Sequence, residues 1–315
     1  MMTRMSRHAA IDCGTNAIRI LIADVSGGRV IDVVREMRTV RLGEGVDATG
    51  EFSEAALQRT FAACDEYSQL LADNPVESLR FIATSASRDV SNRAQFFSGV
   101  HQRLGVEPEV IAGEEEAELS FVGAIRGIDM SLLRDPILVA DIGGGSTEYV
   151  VGSAVTGEIS ALTSVNVGCV RLTERYLHSD PPYPEEIAQA VAAVDAHLES
   201  VMQVIPTGSF TTFVGLAGSV TTVAAMAMNL PRYDSALIHG AIVTRAQVDS
   251  ITTSLLAMSR GDRAALGFMH PGRVDVIAGG SLVLSRTMQA YGLDEVIAGE
   301  TDLLDGIVYR LSLLT

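Results

Sequence analysis

One segment of the sequence combines the residue types and the spacing of a phosphate-binding turn: Asp141-Ile142-Gly143-Gly144-Gly145-Ser146-Thr147-Glu148. Its three consecutive glycines have no side chains, so successive backbone N–H groups can curl around an anion at close range. Ser146 and Thr147 can add hydroxyl donors. Asp141 and Glu148 bring carboxylates, the hard oxygen ligands that suit Mg²⁺ held partly through water. The alternative interpretation is a plain hairpin turn, because glycine-rich turns are common.

A similar turn lies earlier in the chain, at Asp12-Cys13-Gly14-Thr15-Asn16. Asp12 and Asp141 are 129 residues apart, and aligning them superposes two blocks of the same pattern. Each block reads as a strand, an Asp-x-Gly turn with a hydroxyl residue, a strand, a glycine turn and a strand. Such a duplicated unit predicts two domains of similar topology. Two turns that face each other would hold a phosphate chain from both sides, so Thr15 and Asn16 are candidate phosphate contacts.

Four glutamates lie at the predicted start of a helix, in the segment Gly113-Glu114-Glu115-Glu116-Ala117-Glu118. Acidic side chains at this end of a helix complement its dipole, which is one interpretation of the cluster. A glutamate that faces a phosphate site could instead orient and deprotonate a water molecule, as a general base does. Adjacent helical residues point about 100° apart, so the four cannot all face one site. Spacing alone does not select among them.

Two further segments follow predicted buried strands, where active-site loops often begin. Arg88 ends a polar segment, and its planar guanidinium suits a pair of phosphate oxygens. An ion pair with the neighbouring Asp89 is the alternative role for this arginine. Gly218 and Ser219 lie where a strand ends and a helix begins, and the N-terminus of a helix favours anions. As a lone glycine-rich turn, this segment is equally compatible with a structural role.

The pattern around these motifs predicts a mixed α/β sheet with helices on its faces in each half of the chain. Strands are predicted at 79–83, 107–111, 137–142 and 212–216, and helices at 114–125 and 185–204. Ser53 is predicted to cap a helix in the first half. Thr244 and Gln247 form a capping box at the start of a helix in the second half.

The composition limits the classes of partner. The 315 residues include 23 basic and 39 acidic side chains, a formal net charge of −16, and every basic residue is an arginine. Proteins that bind duplex nucleic acid normally present a basic face, so we expect no nucleic-acid partner. Three scattered cysteines and six histidines without ligand spacing predict neither a disulfide framework nor a zinc cluster. With no visible signal peptide and no unbroken apolar stretch of about 20 residues, a cytoplasmic protein without a membrane partner is expected.

Six motifs carry a family resemblance: IDCGTNAIRIL, TSASRDVSN, GEEEAELSFVGA, LVADIGGGSTEYVVG, GLAGSVTTVAA and DVIAGGSLVL. Their order and spacing resemble those of the exopolyphosphatase/guanosine pentaphosphate phosphohydrolase (Ppx/GppA) family over essentially the whole chain. The resemblance implies an α/β fold of two actin-like (ribonuclease H-like) domains, each a mixed sheet flanked by helices, with the active site in the cleft between them.

The same resemblance implies domain boundaries. Residues 1–130 form the N-terminal domain, residues 131–300 form the C-terminal domain, and a closing helix at 301–315 packs back on the first. The sequence ends at Thr315, before the helical C-terminal domain of longer members, so the short two-domain form is expected. The segment 301–306 departs from the family's Gly-Leu-Arg-Glu-Gly pattern and loses its arginine, which leaves the role of that loop open.

Individual roles also follow from the resemblance. Glu116 resembles the family's general base, and Asp141 and Glu148 match its ligands for Mg²⁺ (or Mn²⁺). Seven positions match residues that line the phosphate path: Thr15, Asn16, Arg88, Gly144, Gly145, Ser146 and Thr147.

The expected function is therefore Mg²⁺-dependent removal of terminal orthophosphate from linear inorganic polyphosphate by attack of water. Hydrolysis of guanosine pentaphosphate to the tetraphosphate, the other activity of the family, is the alternative on a largely shared site. Two alternatives come from other functional classes: a kinase or ATPase of the actin superfamily, and a non-catalytic phosphate-sensing module. The acids at 116, 141 and 148 favour an enzyme over a sensor. The sequence is compatible with a homodimer and does not set the preferred chain length.

Overall fold

The computed structural model of the protein describes residues 5–88 and 90–314. The chain divides into two compact units. Unit 1 contains the residues up to Arg126 together with those from Leu303 onward, and unit 2 is Gly127–Asp302. The boundaries predicted from the sequence, at 130 and 300, lie four and two residues from those of the units.

Unit 1 is built on a five-stranded mixed sheet. Its strands are β1 (Ser6–Cys13), β2 (Ala17–Ser26), β3 (Arg29–Thr39), β4 (Ser78–Ala83) and β5 (Glu109–Val110). They lie in the order β3-β2-β1-β4-β5, with the first three antiparallel and β4 and β5 parallel to β1. The helices that follow these strands are α1 (Val46–Thr49), α2 (Glu54–Asp73), α3 (Arg93–Leu104) and α4 (Gly113–Gly127). The Ser53 side chain accepts a hydrogen bond from the backbone N–H of Ala56, which confirms the predicted cap of α2.

Unit 2 repeats this arrangement on a six-stranded sheet. Its strands are β6 (Ile137–Ile142), β7 (Thr147–Gly152), β8 (Ile159–Val165), β9 (Thr212–Leu216), β10 (Ile242–Thr244) and β11 (Glu295–Ala298). Its helices are α5 (Cys169–Tyr176), α6 (Pro184–Val204), α7 (Ala217–Ala227), α8 (Ser235–Ile238), α9 (Arg245–Ala257), α10 (Arg260–Ala264) and α11 (Ile277–Tyr291). The predicted capping box of Thr244 and Gln247 is present at the start of α9.

The two sheets share one strand order. Unit 2 reads β8-β7-β6-β9-β11, with β10 added at its edge, against β3-β2-β1-β4-β5 in unit 1. In both units an antiparallel meander of three strands leads into parallel strands joined through helices. The prediction of two domains of similar topology, each with a mixed sheet and flanking helices, is therefore confirmed.

The last helix, α12 (Leu303–Ser312), belongs to unit 1 although it follows unit 2 in the chain. Its apolar side chains share a buried cluster with residues of the sheet, among them Ala10 and Leu21, and with Leu119 of α4. A second cluster covers the opposite face of the sheet with side chains from α2 and α3. The central strand β1 is therefore buried on both faces, which holds the turn that follows it in one position. No helix in the described part of the chain is long and apolar enough to cross a membrane.

Candidate active site

The first predicted phosphate turn connects β1 to β2 and is held by two neighbouring segments. Its backbone closes through a bond from the N–H of Gly14 to the carbonyl of Ala17, at 2.9 Å. The hydroxyl of Thr15, which is buried, lies 2.9 Å from that of Ser85 in the short helical turn after β4. The carbonyls of Thr15 and Asn16 accept bonds from the backbone of residues 40–43. The turn is therefore braced by parts of the chain that are distant in sequence.

The structure distinguishes the four glutamates of α4. Glu115 accepts a hydrogen bond from Arg80 at 2.7 Å and Glu118 one from Arg310 at 2.9 Å, as helix-surface acids commonly do. Glu114 is exposed. Glu116 alone is buried, with 8% of its surface accessible. The residue singled out by the family resemblance is thus the one that the helix turns inward.

Arg88 lies beside this buried carboxylate. Its Nη2 donates a hydrogen bond to Oε2 of Glu116, and its Nε donates to the carbonyl of Ile111 at 3.0 Å. A guanidinium has five N–H donors, and these two bonds use two of them. The structure therefore brings together two of the predicted residues, Glu116 and Arg88. Asp89, the alternative partner considered for Arg88, lies outside the described residues.

The second turn connects β6 to β7, and the N-terminus of α5 holds its carbonyl side. The carbonyl of Gly143 accepts a bond from the N–H of Cys169 at 3.0 Å. That of Gly144 accepts bonds from Val170 and Arg171 at 2.9 and 3.1 Å, and Nε of Arg171 donates to the carbonyl of Gly145 at 2.8 Å.

This bonding orients the N–H groups of the turn. In a trans peptide the C=O and N–H groups point in opposite directions. The carbonyls of residues 143, 144 and 145 all bond to α5, so the N–H groups of Gly144, Gly145 and Ser146 point away from it. Three successive N–H groups on one side of a glycine turn can form a concavity that suits an anion. Thr147 differs from its predicted role, because its hydroxyl donates to the carbonyl of Val167 at 2.6 Å and stabilises the turn.

Asp141 and Glu148 lie directly opposite each other across the β6–β7 pair. Side chains at opposite positions of an antiparallel pair share one face of the sheet, so the two carboxylates are neighbours. Both are buried, with 7% and 1% of their surfaces accessible, and Oε1 of Glu148 accepts a bond from the Ser164 hydroxyl at 2.8 Å. Two buried like charges favour a bound cation.

The donor set fits Mg²⁺ in particular. Among the described residues, no group of three or more His, Cys, Asp or Glu side chains could enclose a metal ion. Mg²⁺ typically binds through one or two carboxylates, several waters and the phosphates of its substrate. A pair of carboxylates next to a phosphate turn meets this requirement, whereas a structural zinc ion would need four protein ligands.

Gly218 and Ser219 lie at the start of α7, as predicted, but their contacts differ from those of the two turns. The Ser219 hydroxyl lies against Gly280 of α11. A Cβ atom added at Gly280 would be only 2.0 Å from this hydroxyl oxygen. A Cβ added at Gly218 would lie 2.4 Å from Nε of Arg273, so the guanidinium rests against this glycine.

Burial raises the pKa of the nearby Cys169 thiol to about 11, which keeps it protonated and unreactive. Arg273 is not among the residues predicted from the sequence, because a contact between residues 55 positions apart leaves no local signal.

The residues described so far, a glycine turn beside two buried carboxylates in unit 2 and a buried glutamate beside an arginine in unit 1, are of the types that phosphate-transferring and phosphate-hydrolysing enzymes use. Residues 21–315 match the Ppx/GppA phosphatase family. The chain is 46% identical to Exopolyphosphatase 2 of Mycobacterium tuberculosis, over 98% of this chain and 99% of that protein. It is also similar to the crystal structure of an exopolyphosphatase-like protein, with 40% identity, 99% of each chain covered and a TM-score of 0.94.

A more distant relative is the guanosine-5'-triphosphate,3'-diphosphate pyrophosphatase of Photobacterium profundum. The two are 28% identical over 96% of this chain and 59% of that protein. These similarities agree with the motifs described above, and the chain belongs to the Ppx/GppA phosphatase family.

Proposed function

We propose that this protein is an exopolyphosphatase that removes terminal orthophosphate from linear polyphosphate with the help of Mg²⁺ or Mn²⁺. The observation that carries the proposal is the turn of residues 143–146, whose N–H groups point to one side next to the buried pair Asp141 and Glu148. Full-length similarity to a protein named Exopolyphosphatase 2 supports polyphosphate as the substrate.

Hydrolysis of the terminal phosphoanhydride requires a water molecule to attack phosphorus while the bond to the bridging oxygen breaks. In the proposed mechanism, the Glu116 carboxylate takes the proton of this water, and the shortened polyphosphate leaves as an oxyanion. Arg88 fixes the orientation of the base through its bond to Oε2 of Glu116. Its remaining donors are proposed to hold a phosphate oxygen. The N–H groups of Gly144, Gly145 and Ser146 are proposed to hold a phosphate group.

Asp141 and Glu148 are the residues proposed to hold the divalent cation. When bound, the cation neutralises phosphate oxygens that a pair of carboxylates would otherwise repel. In this lysine-free chain the other sources of positive charge are arginine side chains and backbone N–H groups.

The proposal is tested by measuring phosphate release from long-chain polyphosphate, guanosine pentaphosphate and ATP side by side, with Mg²⁺ and with excess chelator. We expect the fastest release from polyphosphate, and only with the cation. Full activity in chelator would contradict the metal assignment. Conversion of ATP to ADP with transfer of its terminal phosphoryl group to an acceptor, and without release of orthophosphate, would favour a kinase.

Guanosine pentaphosphate is the second candidate substrate. The similarity to the Photobacterium profundum pyrophosphatase favours it, although that similarity is lower and covers 59% of the relative. The same three-substrate comparison decides between the two activities, because both would use the turn at 143–146 and the base on α4. A higher kcat/KM on guanosine pentaphosphate than on polyphosphate would reverse their order.

A homodimer and a cytoplasmic location complete the proposal. Light scattering of the purified protein measures the first, and fractionation of cells tests the second. A monomer at micromolar concentration would contradict the dimer without affecting the proposed chemistry.

A further inference from the structure

A serine on the third strand of unit 2 contacts one of the two acids proposed to bind the metal ion. Ser164 lies directly opposite Glu148 in the β7–β8 pair, and Glu148 lies directly opposite Asp141 in the β6–β7 pair. Side chains at opposite positions of antiparallel strands share one face, so these three follow one another across the sheet. The Ser164 hydroxyl donates a hydrogen bond to Oε1 of Glu148 at 2.8 Å. Ser164 lies outside every motif singled out in the sequence.

The carboxylate that accepts this bond is buried, with 1% of the Glu148 surface accessible. An ionised carboxylate that is removed from water needs hydrogen bonds, and a hydroxyl supplies one without adding positive charge. The bond also restricts rotation of the carboxylate, so that its oxygens keep one orientation. The two oxygens of a carboxylate offer about four lone-pair sites, so a bond from Ser164 is compatible with a metal ion on the same group.

The first copy of the strand–turn–strand unit provides an internal comparison. There, Asp12 lies opposite Arg19, and Arg19 lies opposite Met37 of β3. Met37 therefore occupies the register position that Ser164 has in unit 2, and its side chain has no hydroxyl. The copy with an acid and an arginine has an apolar side chain at the third position, whereas the copy with two acids has a hydrogen-bond donor there. The hydroxyl accompanies the pair of acids.

We propose that Ser164 is a positioning residue of the metal site, whose hydroxyl holds the Glu148 carboxylate in the orientation that binds the divalent cation. This inference rests on the proposed function, since it takes Asp141 and Glu148 to be the metal ligands. A carboxylate that is already oriented loses less conformational freedom when the cation binds, so the cation binds more tightly. Removal of such a hydrogen-bonding partner from a metal ligand typically lowers metal affinity or activity by about 10- to 100-fold.

The test is the substitution Ser164→Ala, which removes the hydroxyl and keeps the backbone of the strand. We expect the Mg²⁺ concentration for half-maximal activity on long-chain polyphosphate to rise about tenfold, with a smaller change in kcat at saturating Mg²⁺. Ser160→Ala is the matched control, because Ser160 lies on the same strand and its hydroxyl donates to the backbone carbonyl of Val151 at 3.1 Å. Its Mg²⁺ titration is expected to remain unchanged. Ser164→Thr keeps a hydroxyl and is expected to retain most of the metal affinity.

Binding of Mn²⁺ in the absence of substrate measures the same effect without turnover. The electron paramagnetic resonance signal of free Mn²⁺ gives the dissociation constant, which should be about tenfold higher for Ser164→Ala than for the unsubstituted protein. Equal dissociation constants in these two proteins overturn the proposal. An equal increase in Ser160→Ala also overturns it, because any loss of a hydroxyl from the strand would then have the same effect. A loss in Ser164→Thr as large as in Ser164→Ala contradicts the role of the hydroxyl.

Thermal unfolding in excess chelator shows whether Ser164→Ala also destabilises the metal-free protein. If its thermal midpoint is lowered, Ser164→Cys repeats the Mn²⁺ titration with a side chain of similar size that is a weak hydrogen-bond donor. An unchanged dissociation constant in that variant overturns the proposal equally. Absence of Mn²⁺ binding by the unsubstituted protein contradicts instead the metal assignment of the proposed function, and the role of Ser164 with it.

Discussion

The two copies of the strand–turn–strand unit differ in charge at one pair of positions. In unit 1, Asp12 lies opposite Arg19 across β1 and β2, and Nη2 of Arg19 is 2.6 Å from Oδ2 of Asp12. In unit 2 the corresponding pair is Asp141 and Glu148, which lie opposite each other across β6 and β7. Both pairs have the same spacing in the sequence, so Glu148 stands where the first copy has an arginine.

We propose that this difference gives the two copies different roles toward a divalent cation. The aspartate of unit 1 has a cation supplied by the protein, so this pair is locally neutral. The two acids of unit 2 are buried on opposite strands, and we propose that they hold a divalent cation. The two copies of one backbone therefore differ in their side chains: unit 2 has two acids where unit 1 has an acid and an arginine.

The largest expected effect concerns the base assigned to unit 1. Glu116→Gln keeps the size and hydrogen bonding of the side chain but cannot accept a proton, so kcat should fall about 10²–10⁴-fold. Polyphosphate affinity should persist. Glu114→Gln is the matched control, because Glu114 is exposed at the same helix start and its loss removes about 0.3–1 kcal/mol of dipole complementarity at most. Comparable losses in the two variants would refute the assignment of the base.

The second-largest expected effect tests the proposed role of Asp141 as a metal ligand, with Asp12 of unit 1 as the comparison. Asp141→Asn removes one carboxylate of the unit 2 pair, so the Mg²⁺ concentration for half-maximal activity should rise roughly 10- to 100-fold. Asp12→Asn makes the same change in unit 1, where the partner is Arg19. It should leave the Mg²⁺ titration unchanged and lower the free energy of unfolding by about 1–3 kcal/mol. An identical shift of the Mg²⁺ titration in both variants would show that the two copies are not specialised.

A smaller effect is expected from Arg88→Lys. The ammonium keeps the charge but cannot reach both Glu116 and the carbonyl of Ile111 in the fork geometry of the guanidinium. Loss of one such bond to a charged group corresponds to a fall in kcat/KM of roughly tenfold or more. Steady-state kinetics on polyphosphate measure this. Equal values of kcat/KM would indicate that charge alone matters at this position.

The smallest effect is a pH dependence of stability that originates in unit 1. Burial lowers the pKa of His8, whose ring lies between the hydroxyls of Ser78 and Ser6 at 2.7 and 2.8 Å, while Glu77 opposes this shift. The unfolded chain then binds more protons than the folded chain below the ordinary histidine pKa of about 6.5. Stability from neutral His8 is therefore present above that pH and is lost as the pH falls.

Urea unfolding at several pH values between 7.5 and 5 measures this dependence, with His8→Gln as the comparison. The slope of unfolding free energy against pH should be smaller in the variant. The His8→Gln variant is expected to keep part of the slope of unfolding free energy against pH. This part comes from unit 2, because burial also lowers the pKa values of His197 and His270. A variant with an unchanged slope would remove His8 as a source of the dependence.

The sequence by itself determined the features that depend on neighbours in the chain. Glycine turns, caps such as Ser53 and the capping box of Thr244 and Gln247 are local, since their hydrogen bonds join residues a few positions apart. The repeated block determined the shared topology of the two sheets for the same reason, because each copy encodes its own strands and turns. Family motifs added roles for residues whose geometry the sequence does not contain.

Only the tertiary structure decided what each charged side chain contacts. Glu114, Glu115, Glu116 and Glu118 lie within five residues of each other, yet packing of α4 on unit 1 buries one of them and leaves the others to solvent or to arginines. The bonds from residues 40–43 to the first turn, and the approach of Arg273 to Gly218, join segments that are distant in sequence. Long-range electrostatic and packing contacts of this kind depend on how the whole domain folds, whereas turns and caps depend on a few adjacent residues.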